Sequence, residues 1–199
     1  IGLEYEKIKL FHSDSTSLEE EIIKLAKIPL LFEPKTKWRY SVSMDVLGRI
    51  IEIVKNNSLQ NILQEEIFNP LEMYETNFSI PKNAEDRLME SYAYDNSKSE
   101  LINYYPGLQK IENYQYPLNE KRFARGGHGL FSTIKDYSIF AKMLQTGKTE
   151  KGQAILSKNS LKLINTNALE DYYFPLEIRS VGTVIDVNYV NDLEPYGWG

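Results

Sequence analysis

PLLFEPKTKWRYSVSMDVLGRIIEIVKNNSLQNILQEEIFNPLEM, residues 29–73, decides how the rest of the chain is read. Pro29 and Pro34 bracket a short apolar run, and a loop then brings Trp38, Arg39, Tyr40 and Ser41 to the start of a helix. In that helix Val46, Leu47, Ile50, Ile51 and Val54 recur at steps of one, three and four residues, an amphipathic stripe. Asn56 and Asn57 end it, and Ser58 can cap a second helix carrying Leu59, Ile62, Leu63 and Ile67, which Pro70 stops. Two helices joined by so tight a polar turn are expected to pack as an antiparallel pair. Gly48 sits inside the first one, where it costs roughly 1 kcal/mol relative to Ala. Either that cost is tolerated, or another backbone comes close.

This stretch resembles the serine β-lactamase-like and penicillin-binding-protein-like superfamily, and within it the esterase and acyltransferase branch. The residues that carry the likeness are PLLFEPKTKWRYS, DVLGRIIEIV and EEIFNPLEM. GGHGLFSTIKDYSIFAKMLQTGK at 126–148, GQAILSKNSLKLINTNAL at 152–169 and the terminal YGWG at 196–199 continue it in order. The resemblance implies a helical lobe of an α+β fold and acyl transfer through a serine acyl-enzyme. It places Tyr40 on the tyrosine that acts as general base. A phenol with an ordinary pKa near 10 needs a neighbouring cation for that work. In the family the cation is the lysine of Ser-x-x-Lys, and the same base later returns the proton to the leaving group. Trp38, Val42, His128, Trp198 and Gly199 are expected around the substrate pocket.

Two departures matter. Many relatives carry Asn where Val42 stands, and a valine offers no amide to a peptide or β-lactam, which favours esters. The nucleophile should lie upstream of Tyr40, yet Ser-x-x-Lys occurs only at Ser79–Lys82 and Ser132–Lys135. With 15 serines and 17 lysines among 199 residues, two such pairs are about what chance supplies. Since Ile1 opens the sequence without Met and Gly199 falls within a motif, the chain is read as an internal fragment, 1–199, lacking its nucleophile and expected to be inactive alone. The alternatives are a noncatalytic structural or binding module of the same fold, and a β-lactamase or D-alanyl-D-alanine carboxypeptidase. An in-frame Ser-x-x-Lys upstream discriminates enzyme from module.

The remaining chain supports a mainly α fold with five or six helices, a small hairpin, and the central sheet largely missing. Ser17 with Glu20 forms a capping-box pattern opening a helix with Ile22, Leu25 and Ile28 inward. Asn83 is expected to cap a short helix through Met89. SYAYDNSKSELINYY at 91–105 reads as a hairpin around a polar turn, and 106–125 as a long ordered, tyrosine-rich loop. Three glycines in GGHGLF, 126–131, require a sharp turn or a close approach, without matching any nucleotide loop. Thr133 with Asp136 caps a helix whose expected buried face is Ile134, Tyr137, Phe140, Met143 and Leu144, ended by Gly147. Ser157 caps another with Leu161 and Ile164 inward, and 172–199 is expected to begin the sheet.

Composition narrows the chemistry. A net charge of −5 argues against nucleic acid, and the lack of cysteine removes disulfides, thiol catalysis and cysteine metal sites. Two histidines, His12 read as a surface residue and His128, offer no metal set; no metal and no cofactor is expected. The adjacent carboxylates Glu65–Glu66, Glu85–Asp86 and Glu170–Asp171 point apart on helices and do not make an acid–base pair. No run is long enough to span a bilayer. The expected partner is a small acyl ester or amide, with self-association through apolar surface left open by a missing sheet. Nothing in the sequence assigns a compartment.

Overall fold

The computed structural model describes residues 2–10, 16–36, 42–89, 92–95, 98–103 and 123–166. Among these it is mainly helical, with α1 (Gly2–Lys7), α2 (Leu18–Leu25), α3 (Ser43–Lys55), α4 (Leu59–Leu63), α5 (Ile134–Thr146) and α6 (Lys158–Ile164). A π-helical turn, Gln64–Phe68, prolongs α4, and a 3-10 turn spans Lys82–Arg87. The paired strands are β1 (Tyr92–Asp95) and β2 (Glu100–Asn103), an antiparallel hairpin with Tyr92 opposite Asn103. No closed sheet forms among the described residues, as a helical lobe requires. The expected strands from 172 onward and the tyrosine loop, except its last residues 123–125, lie outside the described residues.

Caps set the helix ends. Ser17 accepts from the Glu20 amide at 3.2 Å, and Glu20 reaches back to the Thr16 amide at 2.8 Å and the Thr16 hydroxyl at 3.0 Å. The capping box is therefore present, shifted one residue outward from the usual return to the cap residue's own amide. Ser58, Thr133 and Ser157 likewise accept from the amides of Asn61, Asp136 and Ser160. At the far ends Asn56 (φ 50°) closes α3 and Gly147 (φ 73°) closes α5, both in the left-handed region that lets the chain leave the helix. Asn83 does not cap the segment after 81: the 3-10 turn already begins at Lys82 and ends at Arg87, short of Met89.

Two hydrophobic clusters hold the lobe. Leu18, Leu59, Phe78 and Ala124 form one, and Phe68, Leu71, Met73 and Met143 the other, with Leu63 packed against both. The two clusters meet at α4, so this short helix ties α2 and α3 to α5. Asp136 fixes the seam between them. It is 3% exposed and accepts from the Glu75 amide and the Thr76 hydroxyl, each at 2.9 Å. That contact sets the rotation of α5. Ile134 and Tyr137, expected inward, are 93% and 67% exposed, whereas Met143 is buried and Phe140 and Leu144 pack on the second cluster. A buried carboxylate with two donors outweighs the apolar pattern of one turn.

The phase of α3 is also decided by polar contacts. Its inward side carries buried Asp45 and Gly48. Arg49 bridges Glu19 of α2 and Glu52, and Glu52 accepts from the Leu59 amide at 3.0 Å, capping α4. At Gly48 an added Cβ would stand 3.0 Å from the Leu59 side chain at Cδ2 and 3.5 Å from the Gly126 nitrogen. The tight neighbour is therefore a side chain, and the nearby backbone lies at ordinary contact distance. Leu47, Ile50 and Val54 of the apolar stripe are exposed.

Candidate functional site

The N-terminal turn of α3 and the loop 125–130 come together across 80 residues of sequence. Arg125 donates from Nε to Asp45 Oδ1 at 3.1 Å and from Nη2 to Asp45 Oδ2 at 3.3 Å, and the Gly127 amide donates to Oδ1 at 3.4 Å. Asp45 is 1% exposed. The loop can press this close because it lacks side chains where it touches the helix. A Cβ on Gly126 would lie 1.9 Å from the Met44 carbonyl oxygen, and one on Gly127 would lie 3.0 Å from Asp45 Oδ2. Gly129 then turns with φ 102°, a conformation that suits glycine. The close approach expected of GGHGLF is thus made against α3. Phe131 and Asn77 exchange backbone hydrogen bonds just beyond, at 2.8 and 3.0 Å, anchoring the loop's other end.

Between loop and helix lies a cavity of about 430 Å³. Met44, Leu47 and Ile51 of α3, Phe78 and Leu130 give it a hydrocarbon wall, and His128 stands on its rim. A space of this size suits a small organic ligand, with a few polar groups at one side to orient it.

The expected site residues divide as follows. Val42 is the half-buried N-cap residue of α3, with φ −90° and ψ 24°, and makes no side-chain cap bond. His128 is exposed at the cavity. Trp38, Tyr40, Trp198 and Gly199 lie outside the described residues. Ser132, one of the two serines in a Ser-x-x-Lys spacing, has its hydroxyl 2.8 Å from that of Thr76, within the Asp136 network. Asp45 and Arg125 were not singled out from sequence. The available signal was a carboxylate set between Met44 and Val46 in the first turn of the helix and an arginine directly before two glycines.

The Beta-lactamase family profile matches residues 2–198. The chain belongs to the Beta-lactamase family. This places it in a serine-hydrolase-like superfamily whose members act on esters and amides. It is 31% identical over 147 residues to Protein Rv1367c of Mycobacterium tuberculosis (strain ATCC 25618 / H37Rv), covering 74% of this chain and 35% of that protein. It is 33% identical over 121 residues to the lovastatin esterase of Penicillium rubens (strain ATCC 28089 / DSM 1075 / NRRL 1951 / Wisconsin 54-1255), covering 59% of this chain and 28% of that one. Among solved structures, EstCE1, a hydrolase with promiscuous acyltransferase activity, superposes with a TM-score of 0.67 at 25% identity, over 82% of this chain and 44% of that one. The chain spans about a third of the length of the curated relatives it matches. No helix among the described residues is long and apolar enough to cross a membrane.

Proposed function

We propose that this Beta-lactamase family chain is part of an enzyme that hydrolyses or transfers acyl groups of small esters through an acyl-enzyme, with Tyr40 as general base. The observation that carries the reading is the apolar cavity at the first turn of α3, whose wall residue Met44 follows Tyr40 by four positions. Its hydrocarbon wall suits the acyl or alcohol portion of an ester, and its glycine-rich rim leaves room for a carbonyl at the polar end. Val42, the residue before α3 and outside the cavity lining described above, has no carboxamide to offer a peptide or β-lactam, which supports ester over lactam. The names of relatives, lovastatin esterase and EstCE1, point the same way.

In the proposed reaction a serine hydroxyl attacks the ester carbonyl while Tyr40, as phenolate, takes its proton. Collapse of the tetrahedral intermediate expels the alkoxide, which takes that proton back. Water or an acceptor alcohol then repeats the sequence on the acyl-enzyme. The serine and its lysine belong upstream of Tyr40, so the 199-residue chain alone is proposed to be silent. The test is kcat/KM of the full-length protein on short-chain nitrophenyl esters against a chromogenic cephalosporin. Preference for the esters is expected, and preference for the cephalosporin overturns the assignment. Incubating this chain with a fluorophosphonate should leave its intact mass unchanged. A stoichiometric adduct on Ser79 or Ser132 would show that one of them is the nucleophile.

A further inference from the structure

We infer that Asp45 is a positioning residue: with Arg125 it holds the 125–130 loop in one fixed pose on the first turn of α3, so that cavity rim and helix start move as one unit. The inference rests on the proposed acyl site for its consequence in catalysis, and on the geometry alone for the clasp itself.

The donors on Asp45 described above, two from the Arg125 guanidinium and one from the Gly127 amide, come from positions two residues apart in one loop. A side-on, two-point contact of planar guanidinium with planar carboxylate fixes both distance and angle, which a point charge does not. Stability alone is a poor reason for such a pair. Removing charges from water consumes much of what their attraction returns, and replacing such a pair by hydrocarbon of similar volume is often neutral or stabilising. What the ion pair adds is direction. The glycines strengthen the point, because Gly126 and Gly127 meet Met44 and Asp45 without side chains of their own, leaving Arg125 to set the loop's register. Downstream of that register stand His128 and Leu130, both on the cavity, and just before α3 stands Val42. A loop displaced by about 1 Å would shift the rim relative to the helix start, and misplacement on that scale can cost about 100-fold in rate.

The decisive variant is Arg125→Lys in the full-length protein, which keeps the charge and loses the fork. A merely structural pair is rescued by lysine, whereas a positioning pair is not. With nitrophenyl butyrate, kcat is expected to fall about tenfold or more while KM changes by less than about threefold, with thermal stability largely retained. Hydrogen exchange should rise together in peptides spanning 42–47 and 125–130, and stay unchanged in α5. Wild-type kcat/KM with unchanged exchange would overturn the inference, as would faster exchange in one of the two segments alone. If Arg125→Lys does not fold, Asp45→Asn combined with Arg125→Gln removes both charges and takes the same readings. If the wild-type protein cleaves no ester, the acyl-site reading fails. The clasp is then decided by exchange: joint loss of protection supports it, and separate or absent loss refutes it.

Discussion

Gly126 lies against the carbonyl of Met44 so tightly that a β-carbon there would stand 1.9 Å from the oxygen. The helix start and the glycine loop are therefore in backbone contact, and the carbonyl concerned belongs to the first turn of α3. Neither side can give way through a flexible side chain, since both partners are main chain.

Gly126→Ala should consequently destabilise the protein by about 2 kcal/mol or more, the range of overpacking against an unyielding neighbour. Urea melts of wild type and variant measure it. Gly152→Ala makes the contrasting case: nothing lies within 4 Å of its added Cβ, but its φ of 87° disfavours a side chain. A penalty at 152 would come from backbone strain, and one at 126 from collision.

Asp136 supplies the second prediction. Its carboxylate satisfies the Glu75 amide and the Thr76 hydroxyl, and that hydroxyl is also 2.8 Å from Ser132 Oγ. Asp136→Ala leaves the part-buried Glu75 amide without its acceptor and the buried Thr76 hydroxyl with only Ser132 Oγ as a partner, which should cost about 2 kcal/mol. Thr76→Val deletes one donor with nearly the same shape and should cost about 1 kcal/mol. Equal losses in the two variants would show that the network is not organised around the carboxylate.

These contacts show where the sequence was informative. The caps at Ser17, Ser58, Thr133 and Ser157, the stops at Asn56 and Gly147, and the hairpin of Tyr92–Asp95 with Glu100–Asn103 were all legible, because each depends on residues within a few positions of one another. The phase of α5 was not. Ile134 and Tyr137 carry the right spacing, but Asp136 is held by residues 60 positions away, and spacing holds no record of that partner. The same limit hid Asp45, whose partner Arg125 is 80 positions away. Of the expected site, Val42 and His128 can be placed, while Tyr40 lies outside the described residues.

Acid should loosen the start of α2 in a defined window. Hydrogen bonds from Thr16, backbone first and hydroxyl second, hold the Glu20 carboxyl below its ordinary value of 4.5. A depressed carboxylate stabilises the fold at pH above that ordinary value, and the contribution is lost as pH falls through the lowered one. The Thr16 amide resonance should therefore shift on acidification below about 4.5, and Glu20→Gln should abolish the transition. A Thr16 amide that titrates identically in the variant would place the effect on another group.

The last prediction concerns the outer stripe of α3. Leu47, Ile50 and Val54 are 43%, 51% and 75% exposed, and they stand three and four residues apart on one helix. Met44 and Ile51 continue the stripe into the cavity wall. Contiguous apolar surface of this kind favours association when no other surface covers it, and a net charge of −5 over 199 residues gives limited repulsion. The 199-residue chain should therefore sediment as concentration-dependent oligomers at micromolar levels. Ile50→Lys with Val54→Glu places opposite charges four residues apart on that stripe, so net charge is unchanged and only hydrophobicity falls. The double variant should remain monomeric with an unchanged melting midpoint, because neither side chain belongs to a core cluster. Oligomers that persist in the variant would move the contact away from α3. The exposed Tyr92, Tyr94 and Leu101 of the hairpin would then be the next surface to alter.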